Sequence, residues 1–285
     1  MFDPRARARF RKNRAALVGA ALVVLLVAFA VVAPWLASHD PLASDFVHGV
    51  SRNQTPVGPG SFFLLGADRL FRDQFVRLAY GARISLTIAF ASTLIASSIG
   101  AAVGITAGWY EGTFADTALM RVVDVGLAFP FLLLVMAIGA ALERTTMTTI
   151  LVTLGLTGWL GTARILRAKT LQVRNLEFVV ASRALGQSTP LVLFRHVLPN
   201  VAGPLIVIAT MSVAQMIVAE SVLSYLGVGI SPPTPTWGHM LFEGQDYYMA
   251  APWLLIAPAA AIVLAVFGFN LVGEGLRDAL DPQDD

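Results

Sequence analysis

The hydrophobic pattern of this chain consists of long apolar runs separated by more polar connections. A helix that rises about 1.5 Å per residue needs roughly 20 apolar residues to cross the hydrocarbon core of a bilayer. Lipid offers backbone N–H and C=O groups no partners, and a helix satisfies them internally. The pattern therefore predicts an all-α membrane protein with six transmembrane helices, in the runs Ala15–Ala37, Ile84–Tyr110, Val125–Leu142, Thr148–Thr162, Val201–Leu226 and Trp253–Val272.

Composition agrees with a membrane location. Of the 285 residues, 56% are apolar and 13% are charged, and the mean hydropathy is +0.70. A soluble domain carries roughly 25% charged residues, so water is not expected to be the main solvent of this chain. Cysteine is absent, which excludes a disulfide framework and thiolate metal sites.

The basic residues indicate the orientation of the predicted spans. If the N-terminus is inside, 14 of the 20 Lys and Arg residues fall on the inner side, six of them before the first run. The positive-inside rule then predicts that both termini are cytoplasmic. The first run is longer than the roughly 7–15 residues of a signal-peptide core, so it is expected to be a retained anchor.

The same pattern predicts the organisation of the chain. We expect a cytoplasmic basic tail, a first transmembrane anchor, a periplasmic loop region, a transmembrane domain with the five remaining spans, and a cytoplasmic tail. These regions correspond to residues 1–14, 15–37, 38–79, 80–276 and 277–285.

The 171–200 segment, between the fourth and fifth spans, carries a helix–turn–helix pattern. Apolar residues at helical spacing predict one apolar face, formed by Leu176, Val179, Val180 and Ala184. Gly186 is expected to stop this helix, because glycine takes the left-handed conformation without a Cβ clash. Ser188 or Thr189 can cap the next helix, whose first turn suits Pro190, and Pro199 is expected to end it. An apolar helix pair on the inner face predicts a surface that binds a partner.

The spacing of this segment resembles the EAA loop of ABC importer permeases. The family pattern is Glu-Ala-Ala, three residues, Gly, nine residues, an apolar residue, one further residue and Leu-Pro. The corresponding residues here are Val180, Ala181, Ser182, Gly186, His196, Leu198 and Pro199. Val180, Ser182 and His196 depart from that pattern. The subfamily that transports dipeptides, oligopeptides and nickel is resembled most closely, at Ala184, Leu185, Gly186 and from Arg195 to Asn200.

Further segments between about residues 62 and 282 resemble peptide-transport permeases. They are Tyr80–Ser85, Val122–Asp124, Ala128–Pro130, Ser231–Gly238, Asn270–Leu271 and Gly275–Pro282. The clearest departure lies in the 66–73 turn, where the family usually has Gly-Thr-Asp and Gly-Arg-Asp. Ala67 and Phe71 stand at two of those positions and put the usual role of the turn in question.

The resemblance implies a permease subunit of an ATP-driven importer with the type I fold, whose EAA-like loop is the coupling helix that docks on an ATPase. It implies four kinds of partner: a second, homologous permease forming a heterodimer, one or two cytoplasmic ABC ATPases, a periplasmic or lipid-anchored substrate-binding protein, and membrane lipid. No nucleic acid is expected. ATP and Mg belong to the ATPases, so no cofactor, metal or catalytic residue is expected in this chain.

Several residues in the spans are candidates for packing or for a pathway. Gly100, Gly104 and Gly108 repeat every four residues and predict close helix packing. Five polar residues could line a pathway or make structural contacts: Glu220, Gln215, Asn270, Asp124 and Arg121. Glu220 is costly in a membrane and is expected near the outer interface. Arg121 and Asp124, three residues apart, are predicted to form a local ion pair, and Pro130 is predicted to kink the third span.

Other classes of protein are disfavoured by missing motifs. A nucleotide-hydrolysing chain needs G-x-x-x-x-G-K-[ST], and neither Lys12 nor Lys169 follows a glycine. An intramembrane hydrolase would need a motif such as H-E-x-x-H or G-x-S-x-G, which is absent. The missing motifs therefore favour a non-enzymatic function, and the resemblance implies import of dipeptides or oligopeptides. A nickel complex or another small solute is the alternative substrate, and a channel or carrier of another class is less favoured.

Overall fold

The computed structural model describes residues 4–36, 39–141 and 145–280. These residues form twelve α-helices: α1 (Pro4–Lys12), α2 (Arg14–Leu36), α3 (Gln74–Trp109), α4 (Phe114–Ala128), α5 (Phe131–Ala140), α6 (Met147–Thr157), α7 (Trp159–Arg174), α8 (Glu177–Ala184), α9 (Thr189–Val192), α10 (Leu198–Tyr225), α11 (Trp237–Gly244) and α12 (Trp253–Leu280). A π-helical turn (Leu193–Val197) joins α9 to α10, and a 3₁₀ turn (Gln245–Tyr247) follows α11. Within the described ranges, β structure is limited to two isolated antiparallel bridges.

The all-α fold class is confirmed. Five helical stretches are long and apolar enough to cross a membrane, and the bent pair α4–α5 would make a sixth. One of the five combines α6 with α7, and another runs from Thr189 to Tyr225. The predicted span ends Ala37 and Leu142 lie outside the described residues, as does the part of the predicted tail from residue 281 onwards.

The second span begins earlier than its apolar run suggested. The α3 helix starts at Gln74, ten residues before Ile84 and within the predicted loop region. Asp73 caps it, because its Oδ1 accepts hydrogen bonds from the backbone N–H groups of Phe75 (2.9 Å) and Val76 (3.3 Å). The first turns carry buried polar side chains such as Arg77, so hydropathy alone places the boundary too late.

The third span is broken at Pro130. The α4 and α5 helices meet there at 84°. Phe129 has an extended backbone, the conformation favoured before proline, and Pro130 is the N-cap of α5. The predicted kink is therefore present, as a complete break between two helices.

The prediction that Pro199 ends a helix is wrong. Pro199 lies in the first turn of α10, and helical structure is continuous from Thr189 to Tyr225. Proline has no N–H, and in a regular helix its ring would clash with the carbonyl four residues earlier. The π turn changes the local pitch: Leu198 N–H bonds to the carbonyl of Leu193, five residues back. The chain thus passes the proline without leaving the helix.

The predicted glycines lie where α3 crosses α7. A Cβ added at Gly100 would come within 2.7 Å of Thr162 Cβ, and one added at Gly108 within 2.7 Å of Thr170 Cβ. At Gly104 it would meet the carbonyl oxygen of Ala163. The absence of side chains at these three positions therefore sets the distance between two spans of the same chain.

The bundle has two distinct ends. At one end, which we call the α8 end, Asn13 Nδ2 donates to Asp278 Oδ2 (3.2 Å) and Arg174 Nη1 donates to the Trp109 carbonyl (2.7 Å). At the other, the α11 end, Trp253 Nε1 donates to the carbonyl of Ala67 (3.2 Å). The first and last helices, α1 and α12, therefore terminate at the same end as the 171–200 segment.

Candidate functional site

The turn between α8 and α9 has the geometry expected for Gly186. Its φ is +79°, in the left-handed region. Gly186 N–H bonds to the carbonyl of Arg183 (3.0 Å), and Gln187 N–H bonds to that of Ser182 (3.3 Å). This pair of bonds is a Schellman motif, which satisfies the last carbonyls of α8. Ser188 takes the N-cap position of α9 and Pro190 lies in its first turn.

Two residues that depart from the EAA pattern contact each other across this turn. Ser182 is buried on α8, and its Oγ lies 3.1 Å from Nε2 of His196 in the π turn. Ser182 Oγ also donates to Oε1 of Gln187 (2.6 Å). The imidazole ring is 5.9 Å from the ring of Phe178. A polar contact thus joins α8 to the π turn at the start of α10. Neither Ser182 nor His196, considered separately as a departure from the family pattern, suggested this contact.

The predicted apolar face of α8 is divided between two environments. Val179 is fully buried with Val192, Val197 and Val201 beneath the segment. Val180 is exposed, as are Ala181, Ala184, Arg195 and Pro199, whereas Leu198 is half-buried. The exposed large apolar side chains form what we call the docking surface: Leu176, Phe178, Val180, Leu185, Leu191 and Phe194. Leu185, beside the glycine turn, is 83% exposed, and Phe194 is 72% exposed.

Gln215 and Asn270 line one cavity of about 580 Å³. Its wall is built from α4, α5, α6, α7, α10 and α12. The lining includes Phe129, at the break between α4 and α5, and Gly158, between α6 and α7. None of its described lining residues carries an ionisable side chain. The structure therefore brings together two amides that are 55 residues apart in sequence.

Glu220 lies outside that cavity. Its side chain is completely buried, with Ser85 Oγ (2.9 Å) and Ser224 Oγ (2.7 Å) donating to its carboxylate. Ser85 Oγ in turn accepts from the backbone N–H of Trp237 (3.3 Å). Glu220 thereby links α10 to α3 and to the start of α11, which is a structural contact.

The predicted local ion pair between Arg121 and Asp124 is wrong. Asp124 accepts instead from Arg164 Nη2 of α7 (2.5 Å). Both partners are about half exposed. The helix face of Asp124 points toward α7, so the pair joins α4 to the neighbouring span rather than stabilising one turn of α4.

A buried charge cluster at the α11 end was not predicted. It consists of Asp68, Arg72, Arg77 and Glu243, each less than a tenth exposed. Glu243 accepts from Arg72 Nη2 (3.0 Å) and Arg77 Nη2 (2.6 Å), and Asp68 Oδ2 lies 2.7 Å from Arg72 Nε and 3.0 Å from Arg77 Nε. Burial alone would raise the pKa of Glu243, but the positive charges of Arg77 and Arg72 hold it below its ordinary value.

The same cluster explains how the 66–73 turn keeps its shape despite its unusual residues. Asp68 Oδ1 accepts from the backbone N–H groups of Leu70 (2.8 Å) and Arg72 (2.9 Å). Phe71 has φ +60°, a conformation that glycine adopts more readily. Ala67 is fully buried, and its carbonyl accepts from Trp253. The alternating acidic and basic residues of this loop were the one sequence feature that could have indicated the buried cluster, but such charges usually indicate a solvated surface.

Comparisons with known proteins define the class. The sequence profile of the family described as binding-protein-dependent transport system inner membrane component matches residues 100–283. The chain belongs to this family, and is thus a multi-pass inner-membrane transport subunit. A second profile, the N-terminal TM domain of oligopeptide transport permease C, matches residues 5–56 and indicates the branch of the family.

Named relatives agree with that branch. The chain is 38% identical over 275 residues to the oligopeptide transport system permease protein OppC of Bacillus subtilis, covering 96% of this chain and 88% of the relative. It is 38% identical to the dipeptide transport system permease protein DppC of the same organism, covering 96% and 84%. It is also 38% identical to the glutathione transport system permease protein GsiD of Pectobacterium atrosepticum, covering 96% and 89%.

A solved structure shares the fold. The MetNI methionine ABC transporter, in an inward-facing conformation, matches with a TM-score of 0.57 and 18% identity. The match covers 72% of this chain and 96% of that one. At this identity the likeness supports the importer-permease fold alone.

Proposed function

We propose that this chain is the permease subunit of an ATP-driven importer and forms half of a pathway for dipeptides or oligopeptides. The docking surface is the observation that carries this proposal. It places six exposed apolar side chains on and beside the α8–α9 helix pair at one end of a membrane bundle, where an isolated subunit would gain nothing from them. The named relatives, which are peptide permeases, support the choice of substrate.

The docking surface fits a cytoplasmic ATPase. Leu185 protrudes at the tip of the turn and Phe194 protrudes from the π turn, while Val179 and Val192 anchor the segment from below. Such a knob can insert into an apolar groove of a partner and transmit its movement to α10, because α9, the π turn and α10 form one continuous helix. ATP and Mg are then bound by the partner, and no cofactor is required in this chain.

The pathway is proposed to follow the cavity with Gln215 and Asn270. Each carboxamide offers both donors and an acceptor, the groups that pair with a peptide backbone. The break at Pro130 lies beside this cavity and gives the wall a discontinuous span. A second, homologous permease would supply the opposite wall, and rigid-body rocking of the two subunits would alternate access.

We infer the orientation of the bundle from its charges. The excess of Lys and Arg at the α8 end supports a cytoplasmic location for that end and for both termini. The α11 end then faces outward, where a periplasmic or lipid-anchored binding protein would deliver substrate to the 39–73 region. This arrangement puts the ATPases and the binding protein at opposite ends of the same bundle.

The test uses charge to disrupt the docking surface. In the native host, Leu185→Asp and Phe194→Asp are expected to leave the tagged permease in the membrane while abolishing co-purification of the ATPases and uptake of a labelled dipeptide. Met249→Asp is the matched control, because Met249 is 82% exposed but lies at the α11 end. Its ATPase co-purification is expected to equal that of the wild type.

Two results would contradict the proposal. If both variants retained the ATPases, another surface would be the docking site. If the wild-type permease co-purified with ATPases but transported no peptide, the importer assignment would be retained and the assignment of a peptide substrate would be rejected.

A further inference from the structure

A second recess of the bundle has a different character from the cavity with the two amides. It is a groove of about 670 Å³ between α2, α3, α10 and α12, and it shares no lining residue with that cavity. Its described lining residues are apolar or carry hydroxyl groups, except for one arginine, Arg83. The groove is therefore an apolar surface with a single positive charge.

Arg83 is exposed, and no carboxylate among the described residues forms an ion pair with it. The hydroxyl of Thr87 donates to the backbone carbonyl of Arg83 (2.6 Å), and the guanidinium takes no part in that hydrogen bond. The residue lies within a helix that is long and apolar enough to span a membrane. A charge in this position needs an anion, water or a headgroup, because hydrocarbon cannot solvate it.

The depth of the α2 wall of the groove can be measured from Trp35. Trp35, 80% exposed near the end of α2, has the position expected of an interfacial aromatic residue. Val31 and Val27, which line the groove with Arg83, are four and eight residues deeper, or about 6 and 12 Å at a helical rise of 1.5 Å. An arginine stem can lie along apolar surface of this depth while its guanidinium reaches the headgroup level.

Below Arg83 the wall is suited to an acyl chain. Phe90 and Leu94 follow it on α3 with 43% and 69% of their surfaces exposed. The Phe90 ring packs edge-on against Phe269 of α12, with centroids 5.4 Å apart. From Arg83 to Leu94 the helix rises about 16 Å, so the charge and the apolar strip together match the headgroup and upper chain of a lipid.

We propose that this groove binds an anionic phospholipid, with its phosphate on Arg83 and one acyl chain along Phe90 and Leu94. Guanidinium groups bind phosphate oxygens in a bidentate manner, which makes arginine suited to this role. The positive charge favours phospholipids with net negative charge over zwitterionic ones. This site is independent of the peptide pathway and of the docking surface.

The absence of cysteine from the chain permits a direct test. Thr87→Cys places a single thiol in the groove, one turn from Arg83, for labelling with a fluorophore. Quenching is then titrated in nanodiscs with spin-labelled phosphatidylglycerol or spin-labelled phosphatidylcholine, for the chain alone and for the complex with its co-purified partners. We expect phosphatidylglycerol to quench at about five-fold lower content, the effect of one arginine near an anionic lipid surface.

Arg83→Gln in the same background is expected to remove the preference, so that the two lipids quench equally. Arg121→Gln, a matched loss of an exposed arginine at the other end of the bundle, is expected to retain it. Equal quenching by the two lipids in the unsubstituted background would overturn the proposal, because the groove would then hold only bulk lipid. Loss of quenching in the assembled complex would also overturn it, because a partner subunit would cover the groove.

Discussion

The buried charge cluster at the α11 end is expected to make a large contribution to stability, which the variant Glu243→Ala tests. Glu243 lies on α11 and accepts hydrogen bonds from Arg72 and Arg77, which precede it by 171 and 166 residues. Glu243→Ala would leave both arginines buried, with Asp68 as the remaining carboxylate of the described cluster. The exposed fractions of the Arg77 and Glu243 side chains are 0% and 7%, so water screens the interaction little.

Removal of one partner from a buried pair typically costs 3–5 kcal/mol, because the remaining charge is left uncompensated. We therefore expect Glu243→Ala to lower the free energy of unfolding by about 3–5 kcal/mol. Glu111→Ala is the matched control. Glu111 pairs with Arg174 at 3.2 Å, but its side chain is 44% exposed, and an exposed pair contributes only about 0–1 kcal/mol.

The assay is equilibrium denaturation of the purified permease in detergent, with all variants measured under one condition. The double variant Glu243→Ala/Arg77→Met removes one charge of each sign. It is expected to lose less stability than the sum of the two single variants, by about 0.5–3 kcal/mol. Equal losses for Glu243→Ala and Glu111→Ala would refute the reasoning, because they would show that the cluster is hydrated or differently arranged.

Three further predictions address other contacts. Gly104→Ala is expected to destabilise the fold by about 1–3 kcal/mol in the same denaturation assay, since its Cβ would meet α7, whereas Gly161→Ala, with open space around it, should gain up to about 1 kcal/mol from helix propensity. Ser182→Ala and His196→Leu are each expected to cost about 0.5–1.5 kcal/mol. The double variant should cost less than their sum, because neither of these two side chains then leaves the other unpaired; strictly additive losses would show that the two do not interact. Burial lowers the pKa of His239 from its ordinary 6.5, aided by nearby Arg77, Arg69 and Arg72 and opposed by Glu243. The folded state is thus favoured above that pH, and stability should fall on acidification below about 6.5, more steeply in the wild type than in His239→Gln; identical pH profiles would contradict the assignment.

Much of the fold could be predicted from local chemistry. An apolar run long enough to span lipid must be helical, so most spans were predicted without tertiary information. Gly186 ends α8 through its own backbone freedom, and Pro130 interrupts the third span through its own missing N–H. Both effects arise within a few residues of the chain. The wrong prediction at Pro199 also concerns local structure, because a π turn and a helix end are two local alternatives that hydropathy does not distinguish.

The contacts between spans depended on helix rotation and register, which the pattern of apolar residues leaves open. Asp124 had a possible partner three residues away, yet the packing of α4 turned it toward Arg164. Gln215 and Asn270 were both plausible pathway residues, but only the relative rotation of α10 and α12 brought them to one cavity.

Arg77 and Glu243 show the limit most clearly. In the sequence they are two ordinary charges beside apolar runs, and such charges are usually solvated. Tertiary packing brings them within 2.6 Å and removes them from water. The sequence by itself thus determined which segments enter the membrane, because that depends on the free energy of each segment in lipid. Only the tertiary structure decided which charges are paired, because pairing depends on distances between segments that are far apart in the chain.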